Sequence, residues 1–240
     1  MATFVLVHGA WHGSWCWKRV RKALEAQGHS VFTPTLTGVG ERSHLLARNV
    51  NLDTHIDDVV SLIRWEELTD VVLCGHSYGG AVISGAASRV GDRIKALIYL
   101  DAFVLEDGES LHDALPPEQR KMQIELTEQH GDGWKVPPIP GEVFNVNAAD
   151  LAWVNRQCTM QPLVTFQQPL KLEGKREVKN VTFILAGGWS GSPFPAFAER
   201  AKVRGWQTLT IPCGHDVMLD RPDELTRALV DIAAAQPATH

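Results

Sequence analysis

The chain has 240 residues, of which 44% are hydrophobic and 21% charged, with a formal net charge of -5. That length suits one α/β domain with a sizeable core, and the mild, evenly spread negative charge argues against nucleic acid or an anionic membrane as partner. No apolar run approaches the ~18 residues a membrane span needs. Cys16, Cys74, Cys158 and Cys213 are scattered without Cys-x-x-Cys or Cys/His ligand spacing, so the sequence predicts reduced thiols, no metal and a cytoplasmic protein.

The first residues, Met1-Ala2-Thr3-Phe4-Val5-Leu6-Val7-His8-Gly9, hold a short apolar run with no basic stretch before it and a turn directly after. They read as a first strand over 4–7, not a signal peptide. A helix follows over 15–27, with Trp17, Val20, Ala23 and Leu24 at helical spacing and Gly28 as its C-cap. A strand over 30–33 leads into the polar loop 35–42, which is expected to skirt the site, with Arg42 in a surface salt bridge or facing an anionic group. The helix over 53–65 turns Ile56, Val59, Val60 and Ile63 to one side and is expected to start at Asp53 or Thr54. A strand over 71–74, a helix over 78–90 and a strand over 95–100 come next, and the series ends with strand, helix, strand and helix over 181–186, 194–204, 207–211 and 222–234. Short β-branched runs alternating with amphipathic stretches predict an α/β fold, a mostly parallel sheet flanked by helices.

Residues 103–179 break this rhythm and are rich in Pro and Trp, including Pro116, Pro117, Pro137, Pro138, Pro140, Trp134 and Trp153. Connections inside compact domains are far shorter. The stretch reads as a cap inserted between two parts of one core, 1–102 and 180–240.

Gly75-His76-Ser77-Tyr78-Gly79 matches G-x-S-x-G between a predicted strand and a predicted helix, the setting that motif requires. A sharp strand-to-helix turn forces the serine into a strained conformation and leaves little room beside it, so small residues flank it. Ser77 then stands at a helix N-terminus, where free N–H groups favour developing negative charge. His8-Gly9-Ala10-Trp11 follows the first strand and forms a loop able to offer one backbone N–H to an oxyanion, with the residue after the serine offering another. The candidate donors are Ala10 and Tyr78. His8 and His12 lie on this glycine-containing loop and not on a helix face, so loop support is expected of them, not metal binding.

Cys213-Gly214-His215-Asp216 falls between the last strand and the last helix. A loop histidine in that late position is the candidate general base, since an imidazole both takes and returns a proton near neutrality. A third group must hold its tautomer. The loop after 181–186, Gly187-Gly188-Trp189-Ser190-Gly191-Ser192-Pro193, contains no carboxylate. Asp101, at the tip of the preceding strand, is the candidate acid, since catalytic groups gather at such tips in open α/β sheets. A helix-cap role for Asp101, and orientation of the histidine by Ser190 or water, stay open. Asp216 adjoins the histidine too closely to bond it.

On these residues the chain resembles the α/β-hydrolase superfamily over nearly its whole length. Val5 to Trp15 and Gly75 to Gly80 look like the plant methylesterase and hydroxynitrile lyase branch with its bacterial esterase relatives. The resemblance implies a helical cap, ester hydrolysis without cofactor, and the nucleophile, base and oxyanion roles for Ser77, His215, Ala10 and Tyr78. Two departures stand out. The branch's acid after the strand 181–186 is missing, while Tyr99-Leu100-Asp101-Ala102 looks like the acid-bearing strand of haloalkane dehalogenases. The lyases carry Thr where this chain has Ala10 and Lys where it has Asp216, which argues against cyanohydrin cleavage.

The sequence therefore predicts a serine esterase acting on a small to medium ester with an apolar or aromatic part. Trp11, Phe103, Trp134 and Trp153 are expected to bind substrate, with Phe144 and Tyr78 also available to line the pocket. Lactone, thioester or carbon–carbon bond hydrolysis by the same groups is the nearest rival, and a ligand-binding receptor on this scaffold is a second. The expected partner is a small-molecule ester; a homodimer stays open.

Overall fold

The computed structural model describes residues 1–174 and 178–235. The expected stretches 103–179 and 180–240 therefore fall partly, at 175–177 and 236–240, outside the described residues. In chain order the core begins with β1 (Thr3–Val7), α1 (Lys18–Glu25), β2 (Ser30–Phe32), α2 (Leu52–Trp65), β3 (Val71–His76), α3 (Gly79–Val90) and β4 (Ile94–Leu100). Then come α4 (Leu111–Ala114), α5 (Pro117–His130), β5 (Lys135–Val136), α6 (Leu151–Gln157), β6 (Gln161–Pro162) and α7 (Val164–Gln167). The chain returns to the core with β7 (Val181–Ala186), α8 (Phe194–Val203), β8 (Gln207–Ile211), α9 (Val217–Asp220) and α10 (Pro222–Ala234).

Six strands form one sheet in the order β2-β1-β3-β4-β7-β8, and every neighbouring pair is parallel. The two-residue period of a strand explains how one short run serves two cores. In β1, Val5 and Val7 enter the cluster on one face, with α2, α3 and α8. Phe4 and Leu6 enter the cluster on the other, with α1 and α10. Both faces are covered, so central strands carry no polar alternation; all of β3 is buried. Each fully buried side chain such as Leu6 or Phe4 contributes roughly 1.5–3 kcal/mol.

Two local details differ from expectation. The helix expected over 15–27 is a 3₁₀ turn, Ser14–Trp17, continued by α1. Its stop is the expected one, with Gly28 at φ 81 donating to Glu25 O at 2.9 Å. The cap of α2 is Asn51, not Asp53 or Thr54. The Asn51 side chain accepts from Thr54 N, and the Thr54 hydroxyl accepts from Asn51 N, so Thr54 is the inner half of a capping box. Arg42 donates to Thr35 O at 2.8 Å and pairs with Asp58 at 3.3 Å, which ties the polar loop 35–42 to α2.

Among the described residues, the segment between β4 and β7 adds no strand to the main sheet. Among its described residues the strand pairing is the short antiparallel ribbon of β5 and β6. It is stitched to the β1 loop by polar bonds that an extended, Pro-rich chain provides cheaply. Trp11 N donates to Gln161 Oε1 at 3.0 Å, and Trp11 Nε1 donates to Val136 O at 3.1 Å. No helix among the described residues is long and apolar enough to cross a membrane, and the four cysteines are free thiols.

Candidate active site

Ser77 is the joint between β3 and α3, and its φ of 54 lies in the left-handed region. Such a conformation costs a residue with a Cβ about 1–2 kcal/mol and survives only where its surroundings fix it. They do here: Ser77 N donates to Leu100 O at 3.2 Å, and Ser77 O accepts from Gly80 N at 3.0 Å and Phe103 N at 3.1 Å. The turn is tight enough to demand its glycines. A Cβ on Gly75 would lie 2.5 Å from Gly79 O, and one on Gly80 would lie 2.3 Å from Phe103 O.

Asp101 ends β4 and is likewise left-handed, at φ 42. Its side chain is fully buried. It accepts three N–H donors: Ala186 N at 3.1 Å, Trp189 Nε1 at 3.2 Å and His215 Nδ1 at 2.7 Å. A buried carboxylate needs such a set. The loop after β7 therefore supplies donors to Asp101 in place of an acid of its own. Since the Asp101 oxygen accepts, His215 carries its proton on Nδ1, and Nε2 is left free.

His215 stands between β8 and α9 and is fastened along its length. Its N–H donates to Phe144 O at 2.9 Å, and its carbonyl accepts from His76 Nε2 at 3.0 Å. Phe144, Trp189 and Phe194 surround the ring at 5.2, 5.1 and 5.1 Å between centroids, Phe194 being stacked at 6°. Ser77 and His215 open on one cavity of about 230 Å³. Among the described residues Ser77 Oγ has no hydrogen-bond partner; in the absence of substrate a serine–histidine contact is commonly long and tightens on binding.

The loop after β1 brings Ala10 to the same cavity, opposite Tyr78. Among the described residues neither amide donates to a protein acceptor. The Gly9–Ala10 peptide is oriented by His8, whose Nδ1 donates to Gly9 O at 2.7 Å while its Nε2 accepts from Leu36 N at 3.0 Å. In a planar trans peptide the N–H points opposite to the C=O, so fixing Gly9 O fixes the Ala10 N–H. This pattern requires a neutral imidazole, and burial pushes the His8 pKa down to about 3. Tyr78 is anchored through its hydroxyl, which donates to His55 Nδ1 at 2.8 Å; His55 Nε2 donates to Thr37 O at 2.8 Å. Trp11, in the same loop, is left-handed at φ 63, so strain gathers at this end of the sheet.

The cavity walls are mostly apolar: Trp11, Phe103, Phe144, Phe166, Trp189 and Phe194 among them. Of the residues expected to bind substrate, Trp11 and Phe103 line it, and Trp134 and Trp153 do not. Trp134 is taken up by two cations, Arg48 at 5.1 Å and Lys135 at 5.3 Å from its ring. Trp153, on α6, packs edge-on against Trp15 at 5.0 Å in the core on the other face of the sheet. Phe166, Trp189, Phe194 and Gln123 also line the cavity and are not expected from the sequence; Ser190, left open there as an orienting group, lines it too, but His215 Nδ1 is bonded to Asp101. Trp189 carried a signal: it sits in the loop where an acid would have stood.

Comparison with known proteins identifies the family. The pattern of the alpha/beta hydrolase family matches residues 4–228. A carbendazim hydrolyzing esterase of Nocardioides sp. (strain SG-4G) is 49% identical, over 95% of this chain and 98% of its own length. Methylesterase 10 of Arabidopsis thaliana is 26% identical over 96% and 91% of the two chains. Among solved structures, an extracellular alpha/beta-hydrolase from a Paenibacillus species, described as sharing homology with tobacco salicylic acid binding protein 2, superposes with a TM-score of 0.87 at 24% identity, over 98% of this chain and all of that one. The chain belongs to the alpha/beta hydrolase family, and it is an ester-hydrolysing enzyme.

Proposed function

We propose that this enzyme cleaves methyl esters and methyl carbamates of small aromatic compounds through a covalent intermediate on Ser77. The observation that carries the proposal is a strained serine and an aspartate-oriented histidine opening on one small apolar cavity. Ser77 Oγ attacks the carbonyl carbon as its proton passes to His215 Nε2, and the Ala10 and Tyr78 N–H groups receive the negative charge on oxygen. The intermediate collapses, and the leaving methoxide takes the proton from His215. Water then gives a proton to the same nitrogen and attacks the acyl-enzyme, which releases the acid and restores the Ser77 hydroxyl. From a carbamate the released carbamic acid loses carbon dioxide to leave an amine. Asp101 holds the histidine in the tautomer this cycle needs and balances its positive charge.

Substrate size and type follow from the walls and the relatives. At about 230 Å³ the cavity falls below the ~300 Å³ low end of drug-sized sites, so it suits a compact substrate. The 49%-identical relative is named for carbendazim, a methyl carbamate on a heteroaromatic ring, and the plant relatives are named methylesterases. Gln123 adds a polar feature to the apolar wall. Its Oε1 accepts from His112 Nε2 at 3.0 Å, and among the described residues its amide nitrogen has no acceptor. That nitrogen is placed to donate to a ring nitrogen or carbonyl on the substrate.

Two measurements test the proposal. Mass spectrometry after fluorophosphonate treatment is expected to find Ser77 alone modified, and an unmodified Ser77 in active protein rejects the mechanism. Gln123→Leu is expected to raise KM for a heteroaromatic methyl carbamate about tenfold, the worth of one hydrogen bond, with KM for a plain phenyl ester nearly unchanged. Equal effects on both substrates would show that Gln123 does not select.

A further inference from the structure

Behind the cavity lies a second histidine–aspartate pair that the reaction above does not use. His12 Nε2 donates to Asp216 Oδ2 at 3.1 Å, across 204 positions of sequence, and His12 Nδ1 donates to Ala10 O at 2.7 Å. Both partners only accept, so both ring nitrogens carry hydrogen and His12 is an imidazolium. Both residues are buried, and the His12 ring stacks on Trp15 at 4.9 Å. A buried ion pair gives little net stability, because removing two charges from water cancels most of the attraction. Its positions suggest another use. Ala10 is the candidate oxyanion donor, and Asp216 is the residue after the general base.

We propose that His12 is a positioning residue, a strut hydrogen-bonded at both ring nitrogens that fixes the oxyanion loop to the loop bearing His215 and so sets the distance between the hydrolytic groups. The inference rests on the hydrolase reading above. His8 orients the Gly9–Ala10 peptide, while His12 and Gln161 hold the next one, Ala10–Trp11, at its carbonyl and its N–H, so both peptide planes flanking Ala10 are pinned and the second leads into left-handed Trp11. Asp216 is anchored in turn, its carbonyl accepting from Leu219 N and Asp220 N at the start of α9.

The electrostatics agree. Burial alone would lower the His12 pKa, yet the charge and hydrogen bond of Asp216 raise it; burial alone would raise the Asp216 pKa, yet His12, with smaller help from His76 and His215, holds it below the usual carboxylate range. Cys16 and Cys158 also face Asp216, and burial keeps both as thiols by raising their pKa values. The His12 contribution to stability is complete below its ordinary pKa and is lost as pH rises through the raised folded value. The Asp216 contribution is complete above the ordinary carboxylate range and is lost in strong acid.

The test uses the whole protein, ¹⁵N-labelled. At pH 6.5, the ordinary imidazole value, the assigned His12 ring is expected to show both nitrogens protonated, and that signal disappears in Asp216→Asn. A wild-type His12 ring that is neutral at pH 6.5 overturns the proposal, whether or not the variants fold. In kinetics, His12→Gln and Asp216→Asn are each expected to lower kcat for one methyl ester about 10- to 100-fold. KM is expected to stay within about twofold, and the double variant to be little worse than either single one. Variants that turn over normally while fluorophosphonate still labels wild-type Ser77 sink the strut and spare the hydrolase reading. An unlabelled wild-type Ser77 sinks the hydrolase reading itself, and with it the strut.

Discussion

Asp101→Asn is expected to lower kcat by about 10⁴-fold while the protein stays folded. The carboxylate accepts from Ala186 N through Oδ1 and from Trp189 Nε1 and His215 Nδ1 through Oδ2. An asparagine keeps one accepting oxygen. If that oxygen serves Ala186, its NH₂ group meets two other donors and turns one of them away. His215 then relieves the conflict by accepting at Nδ1, which moves its proton to Nε2, the nitrogen that must be empty to receive the serine proton. The imidazolium also loses its counter-charge. Single-turnover rates on a methyl ester, with circular dichroism to confirm folding, measure the effect. A rate within tenfold of wild type would remove Asp101 from the mechanism and return the acid role to water or Ser190.

Ser77→Gly is expected to cut turnover by about 10⁶-fold, on the scale of other serine nucleophiles, and to melt at a higher temperature than Ser77→Ala. Both variants lack the hydroxyl, so they differ in backbone preference. At φ 54 an alanine keeps the left-handed penalty and a glycine is free of it. The difference is about 1 kcal/mol, or roughly 2–4 °C for a domain of this size. Calorimetry on the two variants reads it directly. Equal melting temperatures would mean that the elbow stores no strain.

The parts of the site legible in the sequence are those written locally. The elbow needs a strand, two close-approach glycines and a helix within a few residues, and 71–90 contains all of them. The candidate base, His215, is marked by its place after the last strand. Asp101 is legible less directly, as a carboxylate at a strand tip beside a loop that has none, in a Tyr99-Leu100-Asp101-Ala102 run that looks like another family's acid-bearing strand. The pocket was not legible, because which face an aromatic shows depends on packing between distant segments. Trp134 and Trp153 sit in the right stretch of chain, yet one ring is covered by cations and the other packs on Trp15. Phe194 looked like an ordinary helix residue and stacks on His215. Asp216 was set aside as too near His215 to bond it, and sequence adjacency hid its contact with His12. The start of α2 moved to Asn51 for a simpler reason: the box needs its inner residue at Thr54, so the cap lies three positions earlier.

The bond from His215 N to Phe144 O ties a wall of the cavity to the loop that carries the imidazole. The Phe144 ring also packs against the His215 ring at 5.2 Å between centroids, so one residue supports both the main chain and the side chain of the histidine. A change of size or position at Phe144 therefore reaches the imidazole directly, and the shape of the pocket cannot be altered there without disturbing the histidine.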